Sequence, residues 1–405
     1  MACRVLASVL LLVGALVAPL AAADVHVIAP GTATAAVQAL IDGAGNGDVL
    51  LIQPGTTLET LAIDGKGLAL VGDGLPRARI VSLEVSNVPA GSTVSLRNLE
   101  VRPSSGNPFF SVAKVTAITV TDCAGGVLIE DCVVPAGGSV FWDPSNLPGP
   151  ALVVEGSDVV SVSRCVLTGA NGPSQSADCG LLGPGYPGMP ALLVTDSRVT
   201  LSATDLEGGV GGSSWDCPGA PGGAGVVMDG ASFVVLSGSD VQGGLSGVQT
   251  FPPGGGGGPW WGLTAWAGAR VWKVDSTISS VDAPPSVVVD FDVVGTEART
   301  FAVTAPLREN QGGSIDLDGK QGDMIAIMWS FTTSWYEILG NRNAFIPGFA
   351  PVLGGPIILG PNPAADGQWS IPIKGPGLPP GIEGQFAVMQ AFVQDPISFE
   401  IVLTG

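Results

Sequence analysis

Six copies of one eight-residue phrase constrain this chain more than any other feature. They read VSLRNLEV from Val94, VLIEDCVV from Val127, VSVSRCVL from Val160, VTLSATDL from Val199, VVLSGSDV from Val234 and VWKVDSTI from Val271. The closing residues Val101, Val134, Leu167, Leu206, Val241 and Ile278 are 33, 33, 39, 35 and 37 residues apart. None of these β-type phrases can bury its own apolar face, so the near-constant period predicts coils that stack on one another. Places one, three, six and eight are mostly apolar or small, as in Val199, Leu201, Thr204 and Leu206. Strict alternation would run one, three, five, seven, and the slip predicts a corner between places three and six.

A second strand phrase precedes each of five octets: AITV from Ala117, ALVV from Ala151, ALLV from Ala191, GVVM from Gly225 and GLTAW from Gly262. Each coil therefore holds about three strands. The insertions at 135–150, 168–190, 207–224 and 242–261 leave from one edge as stacked loops. Such a surface is where function usually sits.

The chain opens with Arg4, an apolar run from Val5 to Leu20, and Ala21, Ala22 and Ala23 before Asp24. This pattern is that of a secretory signal peptide at 1–23, cut before Asp24. No Cys follows the cut, so a soluble exported protein is expected. No later apolar run approaches the roughly 20 residues of a spanning helix. With 60 Gly and 33 Pro among 405 residues, yet 46% hydrophobic, the chain predicts many tight turns around a real core. No Gly-x-y register runs along it, which excludes collagen. A net charge of −19 argues against nucleic acid and anionic membranes as partners.

Five cysteines lie beyond the leader, in what is then an oxidising compartment. Cys179 follows Leu167 by 12 residues and Cys217 follows Leu206 by 11, both in Asp-Cys pairs. Their equivalent places make them the expected disulfide, worth about 4 kcal/mol in the chain-entropy model. Cys132 and Cys165 share place six, where a stacked buried thiol pair or a bond is expected. Cys123 has no evident partner.

Ahead of the repeat, TATAAVQALIDGA from Thr32 has helical spacing, with Thr32 or Thr34 as N-cap and Gly43 near the end. Residues 47–74 give three short strands separated by Pro-Gly, Asp-Gly and Gly turns. A short helix, then GDVLLIQPG, then IDGKGLALVG resembles the opening of the right-handed parallel β-helix of the pectin-lyase-like superfamily, over roughly 24–280. The resemblance implies that the helix covers the open end of the coil stack, as an unpaired edge requires. Ala283-Pro284-Pro285 reads as a linker, and 24–282 as the β-helix domain. Beyond it SVVVDFDVV, RTFAVTA, GSIDLDG, DMIAIMWS, QWSIPIK, QFAVMQAFV and ISFEIVLT predict a β-sandwich or jelly roll at 286–405. The whole chain is thus expected to be all-β apart from the capping helix. The last domain serves as a cap, an accessory module or a carbohydrate-binding module.

His26 is the only histidine, which removes Ser-His-Asp and Cys-His catalysis. The Gly254–Gly258 run sits between Pro252-Pro253 and Pro259, bases no helix and reads as a flexible loop tip. Carboxylates remain. Stacked octets place Arg97 beside Glu130 and Asp131 beside Arg164, as structural charge ladders or as a catalytic arginine with acids. Asp205 and Asp240 share the outward place seven one rung apart and would attract a cation if partly screened. Family enzymes use stacked strand carboxylates as calcium ligands or as a general acid and base. The resemblance therefore implies catalytic roles for Asp205, Asp240, Asp131 and Arg164, and calcium at Asp205 and Asp240. The enzymes' Asn-Thr-Asp-Gly and Gly-His-Gly phrases are missing here. Trp215, Trp260, Trp261, Trp266 and Trp272 cluster on the last loops and coils; they stack on sugar rings or cover the joint with the last domain. Trp215, Trp260 and Trp261 are the candidate binding residues.

The expected function is a secreted or cell-surface protein that binds extracellular polysaccharide or envelope components without catalysis. A polysaccharide lyase or glycoside hydrolase, and a purely adhesive protein that recognises other proteins, are the alternatives.

Overall fold

The computed structural model describes residues 23–103, 116–135, 149–174, 185–214, 217–248, 261–266, 268–279, 281–282, 288–290, 300–303, 311–330, 333–338, 342–347, 357–361, 368–374, 388–394 and 401–404. Almost all regular structure is β. Up to residue 290 the strands pair in parallel and curl into a nearly closed, solenoid-like stack of three ladders. The first ladder runs Val25–Ile28, Val49–Ile52, Ala69–Gly72, Thr93–Arg97, Gly126–Glu130, Val159–Ser163, Arg198–Ser202, Phe233–Ser237, Arg270–Val274 and Val288–Asp290. Short strands such as Val166–Thr168, Asp205–Glu207 and Asp240–Gln242 build the second. The strands Ile118–Thr121, Leu152–Glu155, Leu192–Thr195, Val226–Asp229 and Leu263–Ala265 build the third.

The octets lie in register. Val94, Val127, Val160, Val199, Val234 and Val271 are successive partners. Val134, Leu167, Leu206, Val241 and Ile278 form a second such column. Both columns pack into one continuous core, fully buried except for the partly buried Ile278. Each such side chain removed from water is worth about 1.5–3 kcal/mol.

The predicted corner falls at place five. Asn98, Asp131, Arg164, Ala203, Gly238 and Asp275 all hold positive φ there, between 42° and 56°. A left-handed residue breaks the alternation and turns the chain from the first ladder into the second. Place six then points inward, and its side chains link the rungs. The main-chain N–H of Cys132 donates to Cys165 Sγ, Cys165 to Thr204 Oγ1, Thr204 to Ser239 Oγ and Ser239 to Ser276 Oγ, at 3.4, 3.4, 3.2 and 3.0 Å. Cys132 and Cys165 are free, buried thiols. Cys123, also free and buried, heads a similar column: its N–H donates to Ser157 Oγ, and that of Ser157 to Ser197 Oγ. Turns at Asp122, Gly156, Asp196 and Gly230 repeat the left-handed geometry just before it.

The helix spans Thr34–Gly43 and buries Val37 and Ile41 in the core. Its N-cap is Ala33 rather than Thr32 or Thr34. Thr32 bonds back to the Ala29 carbonyl, and Thr34 Oγ1 accepts the N–H of Glu59. Gln38 reaches the same strand, Thr57–Asp64: its amide donates to the Ala62 carbonyl and accepts the Ala62 N–H, both at 2.9 Å. The helix thus closes an open sheet edge with side-chain hydrogen bonds. Lys66 Nζ donates to the carbonyls of Ile41, Asp42 and Ala44, capping the helix C-terminus.

The stack runs past the expected linker at 283–285, because Val288–Asp290 pairs in parallel with Arg270–Trp272. That β-branched phrase, expected to open the last domain, covers the end rung instead. Beyond it the strands are antiparallel. One sheet holds Thr300–Val303, Gly312–Asp318 and Gln368–Lys374; another holds Ile357–Pro361, Met324–Ser330, Val388–Gln394 and Ile401–Thr404. Ile315 and Leu317 from the first share an apolar cluster with Ile325 and Ile327 from the second.

Candidate functional site

Two charged groups and one unforeseen surface carry the chemistry of the stack. The first group spans the corner across three successive rungs. Arg97 and Glu130 are register partners, and Arg164 grips Asp131 with two hydrogen bonds of 2.8 and 3.1 Å. The clasp also crosses over: Arg97 lies 3.4 Å from both Glu130 and Asp131, and Arg164 lies 3.7 Å from Glu130. Burial works to lower the Arg164 pKa, but the Asp131 hydrogen bonds and the charges of Glu130 and Asp131 outweigh it and hold the guanidinium above its ordinary value. Two cations and two carboxylates spent on one another make a clamp between rungs. Arg97 also donates to the Val303 carbonyl at 2.7 Å, tying the strand Thr300–Val303 to this cluster.

Asp205 and Asp240 are register partners in the second ladder, one rung apart as the octets predict. Asp205 is exposed, whereas Asp240 accepts hydrogen bonds from the Thr277 hydroxyl and from Gln242 Nε2. Among the described residues no third His, Cys, Asp or Glu joins them to complete a set of three ligands.

The insertions are not stacked loops where they are described. Three rows continue the second ladder outward: 168–174, 207–214 and 242–248. They stay parallel with a period of three, since Gly208, Gly211 and Ser214 donate to the carbonyls of Gln242, Leu245 and Val248. On the other side Gly169 and Gly172 donate to Glu207 and Val210. The returning segments 185–190 and 217–224 run antiparallel to these rows, through Gly209 to Met189, Gly212 to Tyr186, Ala220 to Gly212 and Gly223 to Gly209. A three-residue repeat with no internal hydrogen bonds is the habit of an extended left-handed helix. Glycine is required because the rows touch backbone to backbone: a methyl at Gly209 would land on the Ala170 carbonyl oxygen, and one at Gly212 on that of Pro173.

In the central row every N–H from Gly208 to Ser214 has an acceptor. The outward residues Val210 and Ser213 donate to Asn171 Oδ1 and Ser174 Oγ. One residue in three therefore faces water, giving two lines across the rows: Asn171, Val210, Leu245 and Ser174, Ser213, Val248. Val210, Leu245 and Val248 are 38%, 66% and 58% exposed. With Asp205 and Asp240 at their root, these rows form one regular side of the molecule. The sequence carries the signal as paired glycines three apart, at Gly169 and Gly172, Gly185 and Gly188, Gly208 and Gly211, and Gly244 and Gly247. It is a local register within a chain that has no global one.

Trp215 and Trp260 lie outside the described residues. Trp261 and Trp266 are exposed, and Trp272 packs edge-on against Phe233 at 5.0 Å. Cys217 is buried and disulfide-bonded; Cys179 lies outside the described residues. No helix among the described residues is long and apolar enough to cross a membrane. No protein-family profile matches the chain, and no curated protein matches it.

Proposed function

We propose that this chain is an exported, non-catalytic binding protein whose regular side meets an extracellular polysaccharide or a component of the cell envelope. In this reading residues 1–23 are a leader removed on export. The stack is a right-handed parallel β-helix of the pectin-lyase-like type, and residues beyond 290 form a β-sandwich. The disulfide at Cys217 reaches Cys179 and staples the glycine rows. The observation that carries the reading is the repeated line of outward side chains on hydrogen-bonded rows, polar on the first row at Asn171 and Ser174 and apolar on the third at Leu245 and Val248. A polymer with a regular repeat is the partner such a lattice fits, and pre-ordered rows reduce the entropy lost on binding.

Co-sedimentation with insoluble polysaccharide particles tests this. The wild type is expected in the pellet, and Leu245→Lys with Val248→Lys to weaken retention by about tenfold or more, equal to ~1.4 kcal/mol. Retention unchanged by the double variant, or none on any polysaccharide or envelope preparation, would refute the reading. Trp260→Ala with Trp261→Ala separates an aromatic platform from the rows. The adjacency of Asp205 and Asp240 favours a second reading, a polysaccharide lyase or glycoside hydrolase assisted by calcium. It requires new reducing ends or an unsaturated product from acidic polysaccharide, lost in Asp240→Asn.

A further inference from the structure

The only histidine stands at the other end of the stack, on its first rung. Asp24 and His26 lie two residues apart on or beside the strand Val25–Ile28, so their side chains share one face. Asp48 precedes the partner strand Val49–Ile52, one step before the Val25 and Val49 register pair. His26 Nε2 is 3.9 Å from Asp48 Oδ2, and one ligand atom from each of the three residues lies within 4.8 Å of the others. Asp48 is only 7% exposed, and its carboxylate is fixed by the N–H groups of Asp24 at 3.0 Å and Gly45 at 2.7 Å. Asp24 is exposed and His26 half-buried.

We propose that Asp24, His26 and Asp48 form a binding site for a divalent first-row transition ion, with zinc as the reference case. One imidazole and two carboxylates are a borderline donor set that zinc accepts, whereas calcium prefers six to eight oxygens. Neighbouring ligands of a four-coordinate zinc with bonds of roughly 2.0–2.2 Å sit about 3.4 Å apart. The observed spacing closes to that by rotation of the outer two side chains onto the anchored Asp48. A bound ion would bridge the first two strands of the first ladder and pin the end coil beneath its helix.

A fourth donor rests on the proposed leader removal. Cleavage after Ala23 turns the Asp24 N–H that faces Asp48 Oδ1 into a free α-amine at the same position. The three side chains do not depend on that cleavage.

The test is zinc titration by calorimetry, paired with thermal melting, on the full chain carrying no histidine tag and on the chain beginning at Asp24. One equivalent is expected to bind both and to raise Tm. His26→Gln, and separately Asp24→Asn, should weaken binding by at least the roughly 10–100-fold that loss of an outer-shell partner already costs. Either variant serves if the other folds poorly, since both positions are solvent-facing. Equal isotherms for wild type and His26→Gln, no zinc binding, or calcium binding as tight as zinc would overturn the site. Tighter binding by the chain starting at Asp24 supports the α-amine as fourth ligand; equal binding removes that donor and leaves the three-residue site standing.

Discussion

Place five and place six of the repeat do most of the work that a single residue can do here. Place five takes a left-handed conformation in six successive rungs, and only once is it glycine. Asn and Asp tolerate that region, whereas Arg164 and Ala203 pay for it against the corner they sit in. From the second rung on, place six is Cys, Cys, Thr, Ser and Ser, each able to accept an N–H from the rung before and to donate to a carbonyl, as Cys165 does to Ser163 and Thr204 to Ser202. Burial pushes the Cys165 thiol well above the ordinary 9.0, and burial also raises Cys123. The folded chain therefore holds a proton that the unfolded chain releases. The stability this confers is full below the unfolded value and is lost as pH rises toward the folded one. Melting temperature is expected to fall from about pH 9 upward, and Cys165→Ser, which copies Ser239 and Ser276, to flatten that fall. An equally steep decline in the variant would remove the thiol as its cause.

At the scale of elements, the glycine rows show how irregular backbone can be buried without leaving polar groups unpaired. A buried loop normally fails that requirement. Here each N–H of the central row is satisfied by a neighbouring row or by Asn171 and Ser174. The arrangement tolerates no side chain at its contacts, so Gly209→Ala must push the row away from the Ala170 carbonyl. The expected loss is about 1–3 kcal/mol, in the range of core overpacking, with earlier proteolysis within 168–248. Gly43→Ala, where an added methyl meets nothing within 4 Å, is the matched control and should leave the midpoint of denaturant unfolding unchanged or higher. A Gly209→Ala midpoint equal to the control's would mean the rows are loosely packed.

The stack has one long core and two ends, and its stability depends on how those ends are closed. A stack with a bare first rung would present hydrogen-bonding groups to any other chain. The helix Thr34–Gly43 prevents this, with Val37 and Ile41 in the core and Gln38 occupying both groups of Ala62. Gln38→Ala leaves that N–H and carbonyl unpaired. A destabilisation of about 1–3 kcal/mol is expected, together with concentration-dependent association in light scattering. A variant as monodisperse and as stable as the wild type would show that the edge needs no such plug. At the far end Val288–Asp290 adds a rung, whereas the tie from Arg97 to Val303 is made on the fourth strand of the first ladder, away from that end.

The period of the octets was enough to determine the stack, its register, the corner and the pairings of Arg97 with Glu130, Asp131 with Arg164 and Asp205 with Asp240. All of these follow from a pattern that repeats along the chain, and each rung meets the next at a fixed offset. Tertiary structure alone decided the cross-links from Arg97 to Asp131 and from Arg164 to Glu130, the rung at 288–290, and the glycine rows. Gly208 finds Gln242 and Gly209 finds Met189 only after the coils have stacked. Until then the same glycines read as turns, because a residue without a side chain carries no mark of the backbone it will touch.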